Sequence, residues 1–150
     1  MSLLPFFAQE HPESCVPACI RMVLAFHGIV CTEAEISHCC ESEPEGTLPS
    51  AAVRCLQKFG FNATSLRLYD GIESLRLHSL NAHIIAFVNL TPLMGIGVLH
   101  AIILETLHSE EGTLTIIDPA FPPAGRRLWL VGLFEIGWQL ARNQVILISR

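Results

Sequence analysis

Two apolar runs of strand length, His83 to Leu90 and Val98 to Thr106, limit what this 150-residue chain can fold into. Each is shorter than a typical buried helix and rich in Ile, Val and Leu, as expected of a strand covered on both faces. Between them, Thr91-Pro92-Leu93-Met94-Gly95-Ile96-Gly97 reads as a Gly/Pro loop. His108-Ser109-Glu110-Glu111-Gly112 reads as a hairpin turn, with Thr113 to Asp118 returning as the partner strand. A short strand over Leu128 to Leu130 is expected after a Pro/Gly loop at 120–125. A helix over Leu133 to Ala141 and a closing strand over Gln144 to Ser149 complete this half.

The first sixty residues are patterned differently. After an extended lead-in ending at Gln9, apolar or small residues recur at Cys15, Cys19, Met22, Val23 and Phe26, one face of a helix that Gly28 ends. Ser14 is the expected N-cap and Pro17 falls in the first turn. Thr32-Glu33-Ala34-Glu35 is a capping box for a short helix to Cys40, and an acidic loop follows over Glu41 to Thr47. Ser50 is expected to cap a third helix, Ala51 to Phe59. A strand over Asn62 to Leu68 and a short helix over Ile72 to Leu80 lead into the apolar runs. Helices first and antiparallel strands second predict one α+β domain over residues 1–150, its helices on one side of a sheet.

Composition narrows the function classes. The chain is 51% hydrophobic and 15% charged with a net charge of -5, which supplies no basic footprint for nucleic acid. No apolar run reaches the roughly 18 residues of a membrane span, and the N-terminus lacks the basic region of a signal peptide. Without an export signal, the six cysteines (Cys15, Cys19, Cys31, Cys39, Cys40 and Cys55) are expected as reduced thiols in a cytoplasm. They form no paired CxxC spacing for zinc, and His38-Cys39-Cys40, consecutive on a helix, cannot converge on one ion. No metal or cofactor is expected.

Cys15 begins the first helix, where the positive end of the helix dipole favours thiolate, the nucleophilic form. The competing reading is a cysteine packed as a small hydrophobe. His100 stands near the start of an apolar strand, and Asp118 near the end of its hairpin partner. A turn centred on Ser109 sets them opposite one another, and a register slip of one or two residues would make them diagonal or put them on opposite faces. A carboxylate so placed can hold an imidazole in one tautomer. Asp118 reads equally as an ordinary turn-forming Asp-Pro. With the Gln9 amide and the Cys15 N–H as oxyanion donors, the set has the logic of a thiol hydrolase. His11 is a rival base by proximity, ranked below His100 because no carboxylate is at hand to orient it.

Gln9-x5-Cys15, the run Pro17-Ala18-Cys19-Ile20, the Gly28 helix end, Leu99-His100-Ala101-Ile102-Ile103-Leu104, Ile116-Ile117-Asp118-Pro119-Ala120 and a late helix with Phe134 and Trp138 resemble the bacteriocin-processing double-glycine leader peptidases. The resemblance runs from about Phe6 to Ser149. It implies a papain-like cysteine peptidase fold and cleavage after a Gly-Gly pair ending a peptide leader. By the same resemblance Cys15 is the nucleophile, His100 the general base and acid, Asp118 its orienter and Gln9 the oxyanion donor. The family usually has Asp-Cys-Gly where this chain has Ser14-Cys15-Val16, a β-branched residue expected to narrow the approach to the thiol. The implied substrate is a precursor peptide with a leader. No transporter segment accompanies the 150 residues, so export is expected to fall to a separate transporter. The alternatives are a catalytically silent papain-like module that binds a peptide, an acyl transferase using the same residues, and a structural α+β subunit.

Overall fold

The computed structural model describes residues 4–121 and 125–150. Residues 122–124 of the expected Pro/Gly loop, and 1–3 of the lead-in, lie outside the described residues. The elements in chain order are α1 (Cys15–Phe26), α2 (Glu33–Cys39), α3 (Pro49–Lys58), β1 (Asn62–Arg67), α4 (Ile72–His78), β2 (His83–Asn89), α5 (Thr91–Met94), β3 (Leu99–His108), β4 (Thr113–Ile117), β5 (Arg126–Leu130), α6 (Val131–Leu140) and β6 (Gln144–Ser149). The six strands form one sheet in the order β1-β6-β2-β3-β4-β5, every pairing antiparallel. The α+β class and the antiparallel sheet expected from the sequence are observed, but the expectation that the helices keep to one side of the sheet is corrected.

The two apolar runs become the central strands β2 and β3, buried on both faces. On one face Ile85, Phe87, Ala101, Ile103, Ile117 and Ile146 pack against Cys19, Ile20, Val23 and Leu24 of α1 and Leu56 of α3. On the other, Ile84, Ala86, Val88, Ile102 and Ile116 meet Phe134 and Trp138 of α6. Helices therefore cover both faces, because the late aromatic helix carries its own buried stripe. Alternation along a strand sends successive side chains to opposite sides, so a continuously apolar strand requires two such layers.

Local details differ where tertiary contacts compete with local signals. The α2 capping box forms as expected, Thr32 Oγ1 accepting from Glu35 N–H and Glu35 Oε1 from Thr32 N–H. Ser14 makes no side-chain cap bond to α1; its hydroxyl instead closes a loop with the N–H and C=O of His11. α3 begins two residues earlier than expected, with Leu48 and not Ser50 at the N-cap and Pro49 at N1, where a missing N–H costs nothing. The Thr91–Gly97 loop contains the single helical turn α5, closed by Gly95 at φ 71°. β5 reaches back to Arg126, two residues before the expected start.

The expectation of six thiols is corrected. Cys39 and Cys55 form a disulfide, their Cα atoms 5.4 Å apart where the end of α2 lies beside α3. Cys15, Cys19, Cys31 and Cys40 are free. That proximity arises from helix packing and has no signature in cysteine spacing.

α6 sits so close to β2 that a Cβ at Gly137 would lie 2.6 Å from the carbonyl oxygen of Asn89. The same addition at Gly132, earlier on α6, meets nothing within 4 Å. Gly137→Ala is expected to destabilise the fold by about 1–3 kcal/mol through overpacking against backbone. Gly132→Ala should stabilise it by roughly 0.5–1 kcal/mol through helix propensity. Urea denaturation of the two variants beside wild type checks these opposite signs.

At the far end of α1, His27 and His83 of β2 share a hydrogen bond, Nε2 to Nε2, of 2.9 Å. Only one imidazole can donate, so the contact requires at least one neutral ring. Burial and the Arg150 guanidinium lower the His27 pKa, and burial and His27 lower that of His83. Glu105, tied to Arg126, lines a cavity together with His27 and His83. Folded-state pKa values below the unfolded value of 6.5 mean that the unfolded chain binds more protons. The stability linked to this pair is present above pH 6.5 and lost as pH falls below it. Melting temperature should decline over this range, and His83→Gln should flatten the decline.

Candidate active site

The site lies where the N-terminus of α1 meets the start of β3. α1 opens at Cys15, and its next turn is anchored to the sheet by Cys19, whose thiol is 3.7 Å from the carbonyl oxygen of Ala101. This contact sets Cys15 beside His100. Burial pushes the Cys19 thiol well above the ordinary range, reinforced by the negative charges at Cys15 and Asp118, so Cys19 stays protonated. Cys15, one turn earlier and partly exposed, is the accessible sulfur of the pair.

His100 and Asp118 are joined by a 2.7 Å contact between Nε2 and Oδ1, both side chains almost wholly buried. The strands are not in the register predicted from the turn. β3 and β4 pair Ile103 with Ile117 and Leu104 with Ile116, so Asp118 falls opposite Ile102 one step further on, two residues from His100. His100 and Asp118 are therefore diagonal neighbours on one face. The turn pairs His108 with Thr113, three beyond the expected register, and an irregularity between Leu104 and Thr106 takes one back, which leaves a net offset of two.

Electrostatics bind the three groups together. Burial works to lower the His100 pKa, but hydrogen bonds to Asp118 and Cys15, and the negative charges of both, outweigh it and raise the pKa to about 9. The bond from Nε2 to Asp118 leaves Nδ1 for the thiol. Burial works to raise the Asp118 pKa, yet His100, the Ala120 N–H and the Arg127 guanidinium hold it below the usual carboxylate range. Asp118 Oδ1 accepts from both His100 and Ala120 N–H at 2.9 Å, while Oδ2 faces Arg127 Nη1 at 3.5 Å.

The lead-in reaches the same corner. Gln9 N–H donates to Pro119 O at 2.8 Å, and Arg126 Nη2 donates to Leu4 O at 2.9 Å while holding Glu105. The Phe6 ring lies against Gly125, whose carbonyl accepts from Asp118 N–H, and the Arg21 guanidinium covers Phe7. The Gln9 side chain is less free than expected: Nε2 donates to His11 O at 2.9 Å and Pro12 O at 3.2 Å, and Oε1 is buried without a partner. His11 is exposed. Val16 is buried in the core between α1 and the sheet, so its β-branch is taken up by packing.

Arg127 is the site neighbour that sequence reasoning missed. Placing the short strand at Leu128 hid it; a strand begun at Arg126 would have paired Arg126 with Ile117 and brought Arg127 beside Asp118. A groove of about 570 Å³ is lined by Leu48, Pro49, Phe87, Leu99 and Leu140 together with Glu43, Glu45, Arg67 and Arg142; it meets the site residues only through Leu99, the chain neighbour of His100. Among the described residues no group of three His, Cys, Asp or Glu side chains could hold a metal ion, and no helix is long and apolar enough to cross a membrane.

Three solved structures share this fold. The peptidase domain of Streptococcus ComA, a bi-functional ABC transporter involved in a quorum sensing pathway, superposes with a TM-score of 0.76 at 17% identity over 98% of each chain. A double glycine motif protease from an AMS/PCAT transporter, in complex with the leader peptide, gives 0.76 at 17% identity over 97% of this chain and 91% of that one. A putative C39-like peptidase from Bacillus anthracis gives 0.77 at 14% identity over 98% and 94%. No curated protein matches the sequence. The model of the Peptidase C39 family matches residues 4–140, nearly the full span of the fold just described. The chain belongs to the Peptidase C39 family and is a cysteine peptidase of that type.

Proposed function

We propose that this protein cuts a precursor peptide after a Gly-Gly pair at the end of its leader, through a thioester on Cys15. The observation that carries the reading is the buried contact between His100 and Asp118 set against a partly exposed thiol at a helix start. An imidazole held cationic to about pH 9 beside a sulfur is the partner a thiolate needs. The Gly-Gly preference is supported by the likeness to a double glycine motif protease, and the leader by an apolar groove whose lining includes Leu99, the chain neighbour of His100.

In the reaction, the Cys15 thiolate attacks the carbonyl carbon of the second glycine. The Cys15 backbone N–H, one of the first-turn donors without an intrahelical acceptor, stabilises the oxyanion. Gln9 contributes by exchanging its longer bond, to Pro12 O, for the oxyanion, a charge-assisted bond roughly twice as strong as a neutral one. His100 gives its proton to the departing amine as the C–N bond breaks, leaving a thioester. It then takes a proton from water, whose oxygen attacks the thioester carbon, and the free carboxylate leaves as the thiolate is restored. Asp118 keeps the imidazole oriented throughout. The released segment passes to an export transporter, and processing takes place in the cytoplasm, where the precursor is made.

Two measurements test this. Iodoacetamide should alkylate Cys15 faster than Cys31, the other partly exposed thiol, at pH 7, and His100→Ala should abolish the difference. A synthetic leader peptide carrying Gly-Gly should be cut once, after the second glycine. Cys15→Ala should abolish cleavage, and Asp118→Asn should slow it by roughly 10²–10⁴-fold. Because His100 must carry its proton, activity should fall as pH rises through about 9. Equal alkylation of Cys15 and Cys31 would overturn the proposal.

A further inference from the structure

We infer that Arg127 is a positioning residue for the reaction, acting on His100 through the second oxygen of Asp118. The inference rests on the reading of Cys15, His100 and Asp118 as the reacting set. Asp118 Oδ1 is used by His100 and by Ala120 N–H, whereas Oδ2 of this almost wholly buried side chain forms an ion pair with Arg127 Nη1 at 3.5 Å. A buried carboxylate oxygen without a counter-charge is free to turn or to attract a proton, and either movement would loosen the imidazole.

The geometry that delivers Arg127 is set by register. β4 and β5 pair Ile116 with Arg127, which places the arginine diagonal to Asp118 on the face that also bears His100. The three residues thus step across β3, β4 and β5 in one diagonal row. The guanidinium is then held from two further sides. It lies over the Phe121 ring, 4.2 Å from the centroid, and Nη1 is 3.2 Å from the sulfur of Met94 on α5. Arg126, next to it, is fully committed to Glu105 and Leu4 O, so the two arginines have separate tasks.

A cation on the far side of Asp118 shares the negative charge that would otherwise go wholly to His100. Arg127 therefore keeps the carboxylate ionised and aimed while moderating its hold on the imidazole proton, which must leave during each turnover. The charged or titratable groups around Asp118 are His100 from β3, with Cys15 beyond it, Cys19 from α1 and Arg127 from β5.

The test is the pH profile of kcat/KM on the leader peptide, from pH 5 to 10.5, with the alkylation rate of Cys15 alongside. Arg127→Met should lower kcat/KM about tenfold and move the alkaline limb upward, because Asp118 then holds the His100 proton more tightly. Asp118→Asn should move that limb downward. Arg127→Lys should return the limb toward wild type, since it restores the charge; with Arg127→Gln it also serves if the Met variant does not fold. An alkaline limb in Arg127→Met or Arg127→Gln that stays put or moves down, or an Arg127→Lys no better than Arg127→Gln, overturns the inference. Should His100→Ala and Asp118→Asn leave cleavage and alkylation unchanged, the underlying reading fails instead.

Discussion

The buried contact between His100 and Asp118 is the constraint around which the rest of this molecule is arranged. Two ionisable side chains removed from water are tolerated only when each supplies the other's hydrogen bond and their remaining polar atoms are satisfied. Here the second imidazole nitrogen is left for Cys15, one carboxylate oxygen takes the Ala120 N–H, and the other faces Arg127. Satisfying these atoms requires α1, β3, β4 and β5 to meet at one corner, so sheet order and helix docking serve the same local chemistry.

Within α1, four residues separate two sulfurs with opposite properties. Cys19 is a full turn deeper, packed against the Ala101 carbonyl and held protonated by burial. Cys15 stands at the rim with an imidazole beside it. The inner thiol is part of what fixes the outer one, since it seats the helix on β3. A buried, protonated cysteine and a partly exposed one beside an imidazole thus share one helix face.

Much of this was legible in residue patterns. Strand-length apolar runs announced β2 and β3, and the Thr32 to Glu35 box formed as written. The pairing of a late His with an Asp across a hairpin was visible because turn residues bracket Ser109. What sequence could not resolve was the count of residues spent in turn and irregularity, and so the diagonal register of His100 and Asp118. The bond between Cys39 and Cys55 and the reach of Arg127 share that origin, depending on distances between elements far apart in the chain. Gln9 shows the limit differently: its position was predictable, but the capture of its amide by the carbonyls of His11 and Pro12 follows from how a three-residue loop closes.

The lead-in has one further consequence. Its backbone is pinned at Leu4 by Arg126 and at Gln9 by Pro119, and Phe6 occupies the space that a side chain at position 125 would need. Gly125, in turn, carries the carbonyl that receives the Asp118 N–H at φ 74°, a backbone conformation natural to glycine. The lead-in and the end of β4 are therefore one mechanical unit, although more than a hundred positions part them in the chain. A force applied to the lead-in, as in a pulling experiment, would be transmitted to the Asp118 backbone before it reached α1 or the centre of the sheet.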